Sequence, residues 1–210
     1  MTAVGISASN TWIAASDAAE KITVHIFKVD GGSKPTANTV INAKITHLAW
    51  SPTGDDKFGT AGLNHVIVCD WNGKDKCKQL KGKAPKGGKV QSMCSIAWAN
   101  SPDKKSQFLT GGQDGKVYHW TGDAVTKGYE NNKGSVHSIA LRTDEAAGGE
   151  VALVGGNDKT LTAYKWDGKL TKLWNVTVDA APRSVDLWQG KILMGLKNGS
   201  LVVQPWSADG

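Results

Sequence analysis

Short apolar stretches separated by polar turns run along the whole chain, and this pattern predicts β-strands. Residues 66–68 and 151–154 are continuous aliphatic runs, which is typical of strands whose sheet is covered on both faces. The clearest unit is 111–120, where a strand end, the pair Asp114-Gly115 and a second strand closing on Trp120 follow one another. We expect a two-residue hairpin loop at Asp114-Gly115, because such loops need positive φ at their centre and glycine adopts it without a steric penalty.

The same unit recurs along the chain as an internal repeat. Each copy closes on an aromatic residue, and these aromatics lie about 40 to 50 residues apart. That period, with four strands in each unit, resembles the blade of a WD40 propeller. The turn and closing residues that we predict to form the structural motif of the blades are Asn64, Trp71, Asp114, Gly115, Trp120, Asp158, Trp166, Asn198, Gly199 and Trp206.

We therefore predict an all-β fold, a WD40-type β-propeller segment of about five four-stranded antiparallel blades that belongs to a larger propeller. The blades of this single segment are expected at approximately 1–42, 43–81, 82–129, 130–176 and 177–210, with the last blade lacking its outer strand. Trp50, Trp98 and Trp188 end predicted first strands, and we expect them to pack between blades.

Three stretches resemble the first propeller of the echinoderm microtubule-associated protein-like (EMAP/EML) family. They are 62–91, with Gly62-Leu63-Asn64-His65-Val66 and a lysine- and glycine-rich loop; 110–122, which contains the hairpin closing on Trp120; and 183–199, which begins with Arg183-Ser184-Val185. The resemblance implies a non-enzymatic scaffold that binds tubulin or microtubules. Its implied location is the cytoplasm, on the cytoskeleton, either at spindles or in the ciliary axoneme. Family members also carry a second propeller and a hydrophobic signature motif. This sequence shows neither, so we expect a fragment.

The densest charge in the chain lies at residues 74–89, which hold seven lysines and a single acid, Asp75. Alternation of the first three lysines along a predicted outer strand would place them on one face, and the loop that follows is expected to be exposed. One interpretation is an electrostatic patch for an acidic polymer such as the tubulin surface. The other is a solvated loop whose lysines keep an edge strand from pairing with other chains. The candidate partner-binding residues are Lys74, Lys76, Lys78, Lys81, Lys83, Lys86 and Lys89.

Other partners and cofactors are not indicated. The chain has a formal charge of +6 but only two arginines, Arg142 and Arg183, and its basic run contains no aromatic residue, so nucleic acid is not a predicted partner. His47 and His137 lie on predicted first strands with a one-residue offset, which turns them to opposite faces. We interpret the histidines as ordinary hydrogen-bonded strand residues and predict no metal site.

Catalytic and membrane functions are not predicted either. The sequence contains no nucleophile-elbow motif and no phosphate-binding loop with the required spacing, so we expect no enzyme, no catalytic residue and no cofactor. No apolar run approaches the roughly 20 residues of a membrane helix. Three cysteines without a C-x-x-C pair favour a reducing compartment. The alternative function is a general WD40 adaptor that binds another protein by the propeller face without contacting tubulin.

Overall fold

The computed structural model describes residues 3–19, 21–85, 88–100, 106–131 and 133–210, and the regular elements in these ranges are all strands. Consecutive strands pair antiparallel and form five sheets, which we call blades 1 to 5: β1–β4, β5–β8, β9–β12, β13–β16 and β17–β19. The strands are β1 (Ala3–Ile6), β2 (Trp12–Ser16), β3 (Ile22–Lys28), β4 (Ala37–Ile41), β5 (Ile45–Trp50), β6 (Lys57–Gly62), β7 (His65–Trp71), β8 (Cys77–Lys81), β9 (Met93–Trp98), β10 (Gln107–Gly112), β11 (Lys116–Thr121), β12 (Ala124–Glu130), β13 (Val136–Asp144), β14 (Gly149–Gly156), β15 (Thr160–Trp166), β16 (Leu170–Thr177), β17 (Pro182–Trp188), β18 (Lys191–Leu196) and β19 (Leu201–Pro205).

The first strands of neighbouring blades pack against one another, from β1 to β5, β9, β13 and β17 in turn. This side-by-side arrangement of small antiparallel sheets is a β-propeller segment, and it confirms the predicted fold class. Within the described residues the last sheet has three strands.

The core lies between the blades, in four apolar clusters that each join two neighbouring blades. Leu161 of blade 4 is fully buried in the cluster that Met194 of blade 5 shares. Leu201 is the equivalent residue of blade 5, because it pairs with Gly195 as Leu161 pairs with Gly155. Unlike Leu161, however, Leu201 is 74% exposed. Burial of each blade therefore depends on the next one.

Tryptophans at the ends of the first strands link the blades by hydrogen bonds. The indole N–H of Trp50 donates to the carbonyl of Gly5 at 3.1 Å, and that of Trp98 donates to the carbonyl of Ala49 at 3.0 Å. Both side chains are buried, as expected. The prediction for Trp188 is wrong, because this residue is 60% exposed and no further blade among the described residues covers its side of blade 5.

The hairpin of blade 3 differs from the two-residue loop that the sequence predicts. Its loop contains three residues, Gln113, Asp114 and Gly115, and of these only Gly115 has positive φ, at 86°. The N–H of Gly115 donates to the Gly112 carbonyl at 3.3 Å. This is a turn closed by a left-handed residue, the common three-residue hairpin geometry. Asp114 caps the turn, since its Oδ1 accepts the N–H of Lys116 at 3.2 Å.

The turn cap recurs in two other blades. Asp158 Oδ1 accepts the N–H of Thr160 at 3.3 Å, and Asn198 Oδ1 accepts the N–H of Ser200 at 3.1 Å. Short Asp and Asn side chains do this well because they reach the backbone two residues ahead. The repeated Asp or Asn therefore has a local structural reason in these blades.

The closing tryptophans occupy two positions rather than one. The backbone N–H groups of Trp71 and Trp206 donate to the carbonyls of Asp56 and Gly190, which lie just before the second strands of their blades. In blade 3 the same bond comes from Gly122 to Ser106, two residues after Trp120. Trp120 therefore corresponds to the residue two places before Trp71. Trp166 pairs with Glu150 near the start of the second strand of blade 4.

Candidate interaction surface

The lysine-rich segment begins in a turn and not in a strand. The outer strand β8 starts at Cys77, so Lys74 and Lys76 lie in the turn before it. Asn72 Oδ1 organises this turn by accepting the N–H groups of Lys74, Asp75 and Lys76 at 3.0 to 3.1 Å. The predicted alternation of Lys74, Lys76 and Lys78 along one strand face is therefore wrong, because only Lys78 belongs to the strand.

After β8 the segment crosses from blade 2 to blade 3. The N–H of Gly82 donates to the Val66 carbonyl of blade 2 at 2.7 Å. Lys83 then pairs with the edge of blade 3: its N–H donates to the Asp123 carbonyl at 2.6 Å, and its carbonyl accepts the N–H of Val125 at 3.0 Å. The backbone at 82–83 therefore adds a short parallel bridge to blade 3. The expected exposed loop is tied to two blades at its start.

Gly82 fits this path because it has no side chain. A Cβ at Gly82 would lie 2.9 Å from both the Trp120 ring and the Val66 carbonyl oxygen, closer than real Cβ contacts. Trp120 is fully buried, and its indole N–H donates to Thr110 Oγ1 at 2.8 Å. The lysine-rich segment is thus packed directly on the hairpin that closes blade 3.

The candidate lysines that the structure describes are all exposed: Lys74, Lys76, Lys78, Lys81, Lys83 and Lys89. Among these described lysines, Lys83 forms an ion pair, because its Nζ lies 2.8 Å from Asp123 Oδ2. Lys86 lies outside the described residues. Apart from Lys83, the described lysines are therefore available for an outside partner, along one outer edge of the molecule.

A groove that the sequence analysis did not identify borders this edge. It consists of two cavities of about 380 and 520 Å³ that share the lining residues Asn64, Gly82 and Val90. Leu63, at the tip of the blade 2 hairpin, lines the first cavity and is 55% exposed. The available signal was an apolar residue in a hairpin loop, where polar residues are usual.

A separate cavity of about 390 Å³, which we call the central cavity, is lined by the first strands of all five blades. Arg142 and Asp186 form a two-point ion pair there, with Nε–Oδ1 at 3.0 Å and an Nη2–Oδ2 hydrogen bond of 3.2 Å. Both side chains are about half exposed. The pair links blades 4 and 5.

The histidines are distributed over several blades. His47 lies in the central cavity, and its Nδ1 accepts the N–H of Ile96 at 3.3 Å. Burial lowers the pKa of His47. His25 and His119 are also hydrogen-bonded, with Asn38 and Gln107 as partners. Within the described ranges no group of three or more His, Cys, Asp or Glu side chains could hold a metal ion.

His65 departs from the expected hydrogen-bonded pattern. It is buried at the floor of the groove, and neither ring nitrogen has a well-formed hydrogen bond to a described residue. Burial lowers its pKa, and the nearby Leu63 backbone opposes that effect in part. Gly62 makes room for the ring, since a Cβ there would lie 2.5 Å from its Cε1 atom.

Comparison with known proteins points to WD repeats. No family model matches the sequence. The ciliary WD repeat-containing protein ctxp80 of Euplotoides octocarinatus is 29% identical over 205 residues, which are 96% of this chain and 27% of that relative. The chain thus spans about a quarter of the relative's length. Together with the five packed sheets, the similarity supports a WD-repeat propeller segment. In the described part of the chain, no helix has the length and apolarity required to cross a membrane.

Proposed function

We propose that this WD-repeat segment is a non-enzymatic scaffold that binds tubulin on microtubules through its lysine-rich edge. The observation that carries the proposal is the row of exposed lysines on the outer edge of blade 2 and the crossing that follows it. The proposed contact residues are Lys74, Lys76, Lys78, Lys81 and Lys89, with Lys83 and Lys86 as further members of the segment.

The mechanism is electrostatic recognition by a rigid surface. Exposed lysines that lack carboxylate partners attract an acidic surface, and the attraction falls as salt screens it. Lys83 contributes less because Asp123 already neutralises it. The backbone hydrogen bonds of Gly82 and Lys83 to two blades hold the middle of the lysine-rich segment in place, which lowers the entropy cost of binding.

The proposed location is the cytoplasm, on the cytoskeleton and in the ciliary axoneme. The similarity to a ciliary WD repeat-containing protein supports this location. The resemblance of 62–91, 110–122 and 183–199 to EMAP-like proteins supports the same class of partner.

Co-sedimentation with taxol-stabilised microtubules tests the proposal. The test variant replaces Lys74, Lys76, Lys78 and Lys81 with Gln, and the matched control replaces Lys21, Lys28, Lys34 and Lys197, which are also exposed. We expect wild type and control to bind at low salt and to dissociate as salt rises. The test variant should remain largely in the supernatant. Equal binding by all three proteins would refute the lysine-edge mechanism.

A general adaptor that binds a protein at the propeller face is the second candidate. The central cavity of about 390 Å³ favours it, since Arg142 and Asp186 present charged groups there. Absence of microtubule binding by folded wild-type protein at every salt concentration would favour this adaptor over the tubulin scaffold.

A further inference from the structure

We infer that the groove beside the lysine-rich edge binds an extended acidic peptide that carries one large apolar side chain. The inference rests on the proposed function in one respect, namely that the adjoining edge faces an acidic protein. It adds a defined binding site, which shares Lys81 and Lys89 with the edge but is otherwise lined by other residues, and it adds the chemistry of the segment that enters the site.

The groove consists of two adjoining cavities. Its two cavities meet at Asn64, Gly82 and Val90, so a peptide can run from the blade 1 side to the end of the crossing segment. An extended chain advances about 3.3 Å per residue, and its backbone leaves side chains free on two faces. A compact domain would not enter a channel between a hairpin and a crossing loop.

An apolar subsite lies at one end of the groove. Leu63 is 55% exposed and Val40 of blade 1 is 48% exposed, and both line the same cavity. Exposed aliphatic side chains that line one concave surface favour a large apolar side chain within it. This subsite supplies affinity that is insensitive to salt.

The charge of the groove is positive. Lys81 lines the first cavity and Lys89 the second, whereas the described residues of both linings include no Asp or Glu. The comparable notch between blades 3 and 4 holds Glu130, Asp158, Lys133 and Lys172 together, so its charges are mixed. An acidic segment is therefore the electrostatic complement of the groove. Because the groove lies beside the lysine-rich edge, the positive potential continues from one to the other.

The floor of the groove is fixed before any partner arrives. Gln79 donates from its side-chain amide to Thr39 Oγ1 at 2.7 Å and to the Val40 carbonyl at 2.8 Å, which ties blade 2 to the outer strand of blade 1. On the other wall, Ser92 Oγ donates to Asn64 Oδ1 at 3.0 Å. A preformed groove binds an extended segment at a lower entropy cost.

Fluorescence anisotropy with synthetic peptides tests the inference. The probe is a labelled peptide of about a dozen residues, rich in glutamate, with one central leucine. One matched peptide has glutamine in place of every glutamate, and another has glycine in place of the leucine. The protein variants are Leu63→Ser and the double variant Lys81→Gln with Lys89→Gln. Their controls are Leu201→Ser and the double variant Lys191→Gln with Lys197→Gln, which alter exposed residues of blade 5.

We expect the acidic leucine peptide to bind wild type, and the glutamine and glycine peptides to bind more weakly. Leu63→Ser should weaken binding about tenfold without changing its salt dependence. The lysine variant should weaken binding and flatten the salt dependence. Both controls should bind like wild type, and circular dichroism should show that all variants are folded.

The inference is overturned if folded wild type does not bind the acidic peptide at low salt, or if Leu201→Ser weakens binding as much as Leu63→Ser. Microtubule co-sedimentation separates the two hypotheses. Co-sedimentation without peptide binding rejects the groove and leaves the tubulin scaffold standing. Peptide binding that depends on Leu63, without co-sedimentation, supports the groove and rejects the tubulin scaffold.

Discussion

Gly82 lies directly against the indole ring of Trp120, so the crossing between blades 2 and 3 packs on a strand of blade 3. The backbone of Gly82 also donates to the Val66 carbonyl, so the start of the lysine-rich crossing is held between blade 2 and the hairpin of blade 3. A side chain at this position would meet the Trp120 ring and the Val66 carbonyl oxygen at 2.9 Å.

Replacing Gly82 with Ala should destabilise the protein by about 1–3 kcal/mol, because a methyl group must displace a buried ring or a backbone carbonyl. Urea unfolding monitored by tryptophan fluorescence measures the change. Gly128→Ala is the control. Gly128 lies on the outer strand β12, and the nearest atom to a Cβ there would be in the Tyr118 ring, at 3.3 Å. Equal unfolding midpoints for the two variants would show that Gly82 is not held by Trp120.

The hydroxyl of Thr110 accepts the buried indole N–H of Trp120. Thr110→Val should therefore cost about 1–3 kcal/mol, because a buried donor loses its partner. Thr60 is the equivalent residue of blade 2, two places after Phe58 as Thr110 is after Phe108. Its buried hydroxyl has no hydrogen bond to a described residue.

Thr60→Val should be neutral or should stabilise the protein, since it removes a buried hydroxyl without breaking a hydrogen bond. Thermal unfolding of both variants measures the difference. A loss of stability in Thr60→Val as large as that in Thr110→Val would contradict this assignment.

Gly115 and Lys159 occupy the same left-handed position in the hairpins of blades 3 and 4, with φ of 86° and 64°. Gly115→Ala should destabilise by about 1 kcal/mol, because an L-residue is strained there. Lys159→Gly should stabilise by about 0.5–1 kcal/mol, since relief of the strain exceeds the added chain entropy of glycine. Chemical denaturation tests the opposite signs, and changes of the same sign would show that the turns are not equivalent.

Stability should fall below neutral pH because of His47. Burial lowers the pKa of this residue, so the unfolded chain takes up a proton near pH 6.5 while the folded protein does not. The contribution of His47 is complete above pH 6.5 and is lost as the pH falls through its folded pKa. Protonation of Nδ1 would also break the bond from the Ile96 N–H that joins blades 2 and 3.

Unfolding free energies measured from pH 7 to pH 5 should decrease in wild type and decrease less in His47→Gln. His65 and His137, whose pKa values are also lowered, mainly by burial, account for the remaining slope. If the unfolding free energy of His47→Gln falls with pH as steeply as that of wild type, His47 is excluded as a source of the pH dependence.

The sequence predicted the strands well because each blade repeats the same local pattern. Trp50 and Trp98 were expected to end first strands, and β5 and β9 end at these two residues. Apolar runs bounded by turn residues are strong signals of this kind. The repeat also led to the correct fold class, since a blade cannot bury its faces alone.

Details that depend on register were not predicted. Asp114-Gly115 is compatible with two hairpin types, and the backbone ladder decides that Gly115 follows the turn instead of sitting at its centre. Trp71 and Trp120 have similar sequence surroundings, but the hairpin loop of blade 3 is one residue longer than that of blade 2. Trp120 also comes one residue sooner after Gly112 than Trp71 does after Gly62, and the two differences together shift Trp120 by two residues along the strand. The alternation expected at Lys74 and Lys76 fails because Asn72 accepts three backbone N–H groups and delays the start of β8.

The candidate surface was predicted only in part. Charge density pointed to residues 74–89, because it is visible in composition. The groove beside it depends on Leu63, Val40 and Val90, which are far apart in the sequence and meet only when blades 1 and 2 pack together. Long-range pairing of this kind leaves no local pattern.

The attachment of the crossing segment has a mechanical consequence. A partner bound to the lysine-rich edge pulls on a backbone that is bonded to Val66 in one blade and to Asp123 and Val125 in the next. A load on that partner is therefore shared between two sheets and the apolar interface between them, instead of peeling a single outer strand away.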